Sequence, residues 1–199
     1  MPLESWSAAW WSPWYLSRAA GLTSLLFYTL AVAAAYAGAM ARARRSRASA
    51  AAFTWHRLLS IVAWAFALFH ALILRSDPKV PFSWQALLVP FVAPYRPFGT
   101  GLGVLALYAL SVLLISFDGR TSWGNRWWRA VHRWGNVMYA VAIGHGLMVG
   151  TDLGPPPLRL AVGALVAAAT VAAERWQRAG ERAPAERRVA AGAAAGHRG

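Results

Sequence analysis

Residues 54–74 read TWHRLLSIVAWAFALFHALIL. Apart from Arg57 and the two histidines, His56 and His70, the stretch holds no ionisable side chain. Its 21 residues, wound as a helix at about 1.5 Å per residue, cover the hydrocarbon core of a bilayer, which is about 30 Å thick. It also lacks the 3.6-residue polar stripe of a helix lying on a soluble core. This is a membrane span, and its neighbours in the chain repeat the pattern.

Working outward, a first span is expected over 14–40, opened by Trp6, Trp10, Trp11 and Trp14 and closed by Arg42, Arg44, Arg45 and Arg47. Tryptophan at such an edge anchors at headgroup level. A third span is expected over 98–117, a fourth over 131–150 and a fifth over 158–173. Residues 84–95 are apolar but too short to cross and are interrupted by Pro90 and Pro94, so they are expected to lie in the outer interface. The expected fold is an all-α integral membrane bundle of about five transmembrane helices plus that interfacial segment. Residues 1–13 form a Trp-rich extracytoplasmic N-terminus, expected to be retained because they lack the basic region and cleavage site of a signal peptide. Residues 174–199, rich in Ala, Gly, Arg and Glu, read as a basic, disordered cytoplasmic tail.

Composition supports the membrane class: 58% of the 199 residues are hydrophobic and 14% charged. A net charge of +13 raises the question of nucleic acid, but such binding needs basic residues gathered on one water-exposed face. Here they lie between spans, where Lys and Arg set topology and meet lipid headgroups, so membrane lipid is the expected partner and nucleic acid is not. Fifteen of the 20 basic residues fall in the loops after spans one and three, with Arg57 and Arg133, and in the tail. The other side holds Arg18, Arg75, Lys79, Arg96 and Arg159. The asymmetry places the protein in a plasma or inner membrane as a multi-pass chain, N-terminus outside and C-terminus cytoplasmic, with spans two and four parallel. With no cysteine, thiolate metal sites and Cys-ligated clusters are excluded within the chain, and histidine is left as the main metal ligand.

Four of the five histidines lie in two spans: His56 and His70 in the second, His132 and His145 in the fourth. Ionisable groups inside a membrane are costly and usually functional. In the expected topology His56 and His132 share the cytoplasmic end and His70 and His145 the outer end. Two stacked b-type haems, each held by one imidazole from each helix, need this layout. Fourteen residues separate the first two histidines, about 21 Å with an offset near −40°, so both occupy one face. Thirteen residues separate the second two, an offset near 220° in an ideal helix. Either the helix deforms, aided by Gly135, Gly144 and Gly146, or one haem is bound and one histidine of span four is unused. The plain alternative for each histidine is a side chain that snorkels or bonds a neighbouring carbonyl. Arg57 and Arg133 beside the inner histidines, and Arg18, Arg75 and Arg96 outside, are candidate partners for haem propionates, with interfacial anchoring as their ordinary role.

These residues resemble the ferric reductase-like transmembrane family, which includes eukaryotic ferric reductases, NADPH oxidase cores and the haem-binding subunit of a periplasmic methionine-sulfoxide reductase. The resemblance covers about residues 14–154. It rests on Trp14-Tyr-Leu-Ser-Arg-Ala-Ala-Gly21, Trp55-His-Arg-Leu-Leu59 with His70, Pro90-Phe-Val-Ala-Pro-Tyr-Arg-Pro97, Trp128-Arg-Ala-Val-His132 and His145-Gly-Leu-Met-Val-Gly-Thr-Asp152. It implies an inner haem b on His56 and His132 and an outer one on His70 and His145. Many members have six spans and a fused flavin and nicotinamide domain. Here five spans are expected, and no Gly-rich nucleotide loop is present, so neither flavin nor NAD(P) is expected to bind this chain.

The expected function is electron transfer through bis-histidine haem from a cytoplasmic-side donor, a redox partner protein or a quinol, to an extracytoplasmic acceptor: ferric iron, oxygen, quinone or a periplasmic enzyme. In enzyme terms it would be a haem oxidoreductase subunit. The alternative is a non-catalytic helical membrane partner without haem, whose histidines only hydrogen-bond or sense pH. A solute transporter would require broken helices or mirrored repeats with midplane polar groups, of which spans one, three and five show few.

Overall fold

The structure, a computed structural model, describes residues 12–150 continuously and, beyond them, positions 155, 157, 159, 161, 163, 164, 168, 171 and 175. The N-terminal segment before residue 12, the fifth span expected over 158–173 and the tail at 174–199 therefore lie outside the described residues, those isolated positions apart. The described residues are helical, with no strand among them.

Helix α1, Pro13–Ala43, starts where the Ser12 side chain accepts the N–H of Tyr15 and Pro13 fills the first helical position. A tight turn at 44–47, with Arg45 at φ 54°, leads into α2, Ala48–Ile73. The short connection makes the two antiparallel, and their cross-links step in opposite directions: Ser17 Oγ donates to the carbonyl of His70, Ser24 Oγ to that of Ala63, and His56 Nδ1–H to that of Ala31. Ser17, Ser24, Ala31 and Gly38 are all buried and recur every seven residues. Small side chains at that interval let the two backbones approach closely, which is how helices associate where lipid offers no hydrophobic contrast.

A single 3₁₀ turn, Leu74–Ser76, ends α2. The next segment holds the short helix α3, Trp84–Leu88, capped by Ser83. Phe82, Ala86, Leu87 and Ala93 form a small apolar cluster, and buried Asp77 accepts the N–H groups of Lys79 and Val80. Tyr108 ties this segment down by donating to the carbonyl of Leu88. Helix α4, Pro97–Asp118, runs back with proline in its first turn. Two short helices, α5 at Arg120–Trp123 and α6 at Asn125–His132, then lead to α7, Gly135–Val149.

Helix α1 packs along α2 and α4 along α7, while contacts of α1 with α7 and of α2 with α4 close the ring. Helices α2 and α7 thus face each other across the diagonal, without close backbone packing between them. Tyr28, Ala63, Leu110, Tyr139 and Ile143 fill the centre. The outer surfaces are apolar as well: Leu22, Leu26, Leu58, Val112 and Ile115 are all exposed, with Ile115 at 61%. An apolar exterior of this kind is unstable against water and matched to lipid. Three helices are long and apolar enough to cross a membrane, Pro13–Ala43, Ala48–Ser76 with its 3₁₀ turn, and Pro97–Asp118.

The stretch expected as one span over 131–150 is divided. Helix α6 ends at His132, the Trp134 N–H tightens to the carbonyl of Val131, and α7 begins at Gly135. The physical reason lies in composition. Asn125–His132 carries Arg126 and Arg129 among its tryptophans, whereas Gly135–Val149 has no charged residue apart from its histidine, so only the latter suits a hydrocarbon environment. Helix α7 is 15 residues long, about 22 Å at the helical rise.

Candidate functional site

The break at 133–134 resets the helical phase between His132 and His145, and both then face α2. His70 and His145 approach to 6.0 Å between ring centres and His56 and His132 to 5.9 Å, with interplanar angles of 72° and 87°. The two pairs expected from sequence are thus brought together, one at each end of α2. Two imidazoles bonded through a ring nitrogen to opposite sides of one metal ion, at about 2 Å each, have ring centres roughly 6 Å apart.

Three of the four rings are held by a backbone carbonyl. His70 Nδ1–H donates to the carbonyl of Ser17 at 2.7 Å, with Ser17 Oγ 3.0 Å from the same nitrogen. His145 Nδ1–H donates to Gly99 at 2.8 Å and His56 Nδ1–H to Ala31 at 2.8 Å. A carbonyl only accepts, so Nδ1 carries the proton and Nε2 keeps its lone pair in the neutral ring. A metal-ligating histidine is ordinarily held in the same way: the bond at the far nitrogen sets tautomer and ring orientation and raises ligand basicity. His132 differs. Its Nδ1 and the Nε1 of Trp128 are buried without a hydrogen-bond partner, their rings stacked with centroids 5.2 Å apart.

Between and around the outer pair lies a cavity of about 200 Å³. His70, His145, Gly21 and Gly103 contribute to its wall, Leu107 and Leu110 are among its apolar lining, and Arg18, Trp14 and Tyr95 supply its polar edge. Of the five arginines singled out from sequence, Arg18 is the one that lines it. Arg75 donates to the carbonyl of Phe82 and lies over the ring of Trp84, while Arg96 donates to the carbonyl of Met148. At the other end Arg57 lies 3.8 Å from Asp118 and over Phe117, both partners of the ion pair being largely exposed. Arg133, also exposed, occupies the break between α6 and α7.

No family model, curated protein or solved structure matches the chain. Among the described residues no group of three or more His, Asp or Glu gathers to hold a metal by protein ligands alone. Two imidazoles per site suit an ion whose remaining positions are filled by a macrocycle, and the tautomers, ring separations and apolar cavity at the outer pair fit a haem.

Four groups at the site go beyond the ligand and propionate candidates singled out from sequence. Ser17 and the carbonyl of Gly99 orient the outer rings, and Gly21 and Gly103 stand directly against them. Ser17 belongs to the heptad of small residues along α1, a legible signal. Carbonyl acceptors carry no side-chain signature and leave no trace in a sequence.

Proposed function

We propose that the chain is a multi-pass membrane protein that carries electrons across the bilayer on haem b held by His56 and His132 at the cytoplasmic end and by His70 and His145 at the outer end. In this reading α7 and the 158–173 segment complete a five-span bundle, with the N-terminus outside and the basic tail inside, as the distribution of Arg and Lys favours. The observation that carries the proposal is the meeting of both histidine pairs at one ring-to-ring distance, with three of the four rings locked in the Nε2-ligating tautomer.

Bound haem would supply a one-electron couple, and the residues of this chain would determine how it is held. The carbonyls of Ser17, Gly99 and Ala31 fix the imidazoles, the apolar lining around Leu107 and Leu110 excludes water, and Arg18 offers a charged donor to a propionate at the cavity edge. Tyr28, Tyr139 and Trp64 pack the space between the two pairs. The donor would be a cytoplasmic-side redox protein or a quinol, and the acceptor an extracytoplasmic oxidant. The family resemblance implies the same roles.

The test is a pyridine haemochrome assay on the purified protein. Haem b is expected at up to two per chain, falling by one on His70→Ala, with a low-spin reduced spectrum. Protein that is well folded and colourless after expression with haem supplied would leave the alternative, a membrane partner subunit whose histidines only hydrogen-bond.

A further inference from the structure

We infer that Gly21 and Gly103 are positioning residues of the outer imidazole pair, and that each works by leaving room for a ligand histidine's ring to lie against the helix beside the carbonyl that accepts its Nδ1–H. The inference rests on the haem reading of the site and deepens it.

The two outer rings are seated the same way on different helices. His70 donates to the carbonyl of Ser17 and stands against Gly21; His145 donates to the carbonyl of Gly99 and stands against Gly103. In each case the glycine lies four residues after the acceptor. Within an α-helix the residue at i+4 lies one turn above the carbonyl of residue i, and its Cβ leans back toward that carbonyl. Where a ring leans directly over that residue, as His70 and His145 do, a hydrogen leaves the ring the space that a Cβ would take. A Cβ added at Gly21 would lie 2.9 Å from His70 Nδ1, and one at Gly103 would lie 2.6 Å from His145 Cε1 and 2.7 Å from its Nδ1. Neither ring can retreat without lengthening the hydrogen bond that fixes its tautomer.

The inner pair has no such notch. His56 reaches the carbonyl of Ala31, four residues before Ala35, and the buried Nδ1 of His132 has no acceptor. Among the described residues no other glycine stands against a histidine ring: a Cβ at Gly144, for instance, would meet only Leu102 Cδ1, at 4.0 Å, an ordinary contact.

The experiment compares Gly21→Ala, Gly103→Ala and Gly144→Ala in two backgrounds of the full chain. His56→Ala leaves the outer pair to bind haem, and His70→Ala leaves the inner pair. With the outer pair alone, Gly21→Ala and Gly103→Ala are expected to weaken retention of added haem b by about tenfold or more. They should also shift the low-spin electron paramagnetic resonance signal, Gly103→Ala the more strongly, while Gly144→Ala changes neither. With the inner pair alone, all three should keep their haem and spectrum, which shows that the bundle still folds. Unaltered outer haem in both glycine variants would overturn the inference while leaving the haem reading intact, as would equal losses in the two backgrounds. Absence of haem b from the wild-type protein would remove both.

Discussion

At the scale of single residues, the two histidine pairs are alike in separation and unlike in support. Both outer rings give their Nδ1–H to a carbonyl, and Ser17 adds its hydroxyl beside His70. At the inner pair only His56 is so held, and the buried Nδ1 of His132 has no partner. The groups that hydrogen-bond the far nitrogen of a ligating histidine contribute about 10- to 100-fold in affinity. The outer pair should therefore fill first. In haem titrations of apoprotein, the His56→Ala chain, which keeps the outer pair, is expected to bind about tenfold more tightly than the His70→Ala chain, which keeps the inner pair. Equal affinities, or the reverse order, would show that the carbonyl acceptors do not set ligand strength here. The histidines themselves were legible because a titratable side chain in an apolar span is conspicuous. The difference between the pairs was not, since it depends on which backbone oxygens come within reach of a ring.

At the scale of elements, the hairpin of α1 and α2 depends on small side chains at the interface. Ala63 is fully buried and Ala31 nearly so, at 0% and 1% exposure, and Ser24 Oγ donates to the carbonyl of Ala63 across the seam. Ala63→Leu would force further carbons into that contact, against the cluster that holds Tyr28, and push the two helices apart. A destabilisation of about 1–3 kcal/mol is expected from overpacking, read as a lowered midpoint of thermal unfolding in detergent. Leu58→Ala, on the exposed face of the same helix, should leave the midpoint nearly unchanged. The boundaries of α1 and α4 match the apolar runs of the sequence closely, because Pro13, Pro97 and the Arg-rich turn at 44–47 punctuate them. The interruption at 133–134 was foreshadowed only by an inconsistency: 13 residues of ideal helix would have turned His132 and His145 to opposite faces. Helical phase could reveal that conflict, while the place of the break depended on where the Arg- and Trp-rich stretch gives way to an uncharged one.

At the scale of the whole molecule, the two ends of the bundle differ in charge. The bundle places the 44–47 turn, Arg57 and the α5–α6 region at one end, and the Asp77–Ala93 segment with the Arg18-edged cavity at the other. The first end carries most of the arginine of the described loops, so in the proposed orientation it is cytoplasmic and the cavity lies at the outer end. The absence of cysteine from the chain makes this testable with single substitutions. In intact cells a membrane-impermeant thiol reagent is expected to label Ser76→Cys, while Ser46→Cys and Ser122→Cys should react only after permeabilisation. Ala183→Cys, in the tail, distinguishes five spans from four: it should be protected in the five-span arrangement and labelled from outside in the four-span one. Labelling of Ser46→Cys in intact cells would invert the bundle, turn the cavity toward the cytoplasm and reverse the direction of electron flow proposed for the two histidine pairs.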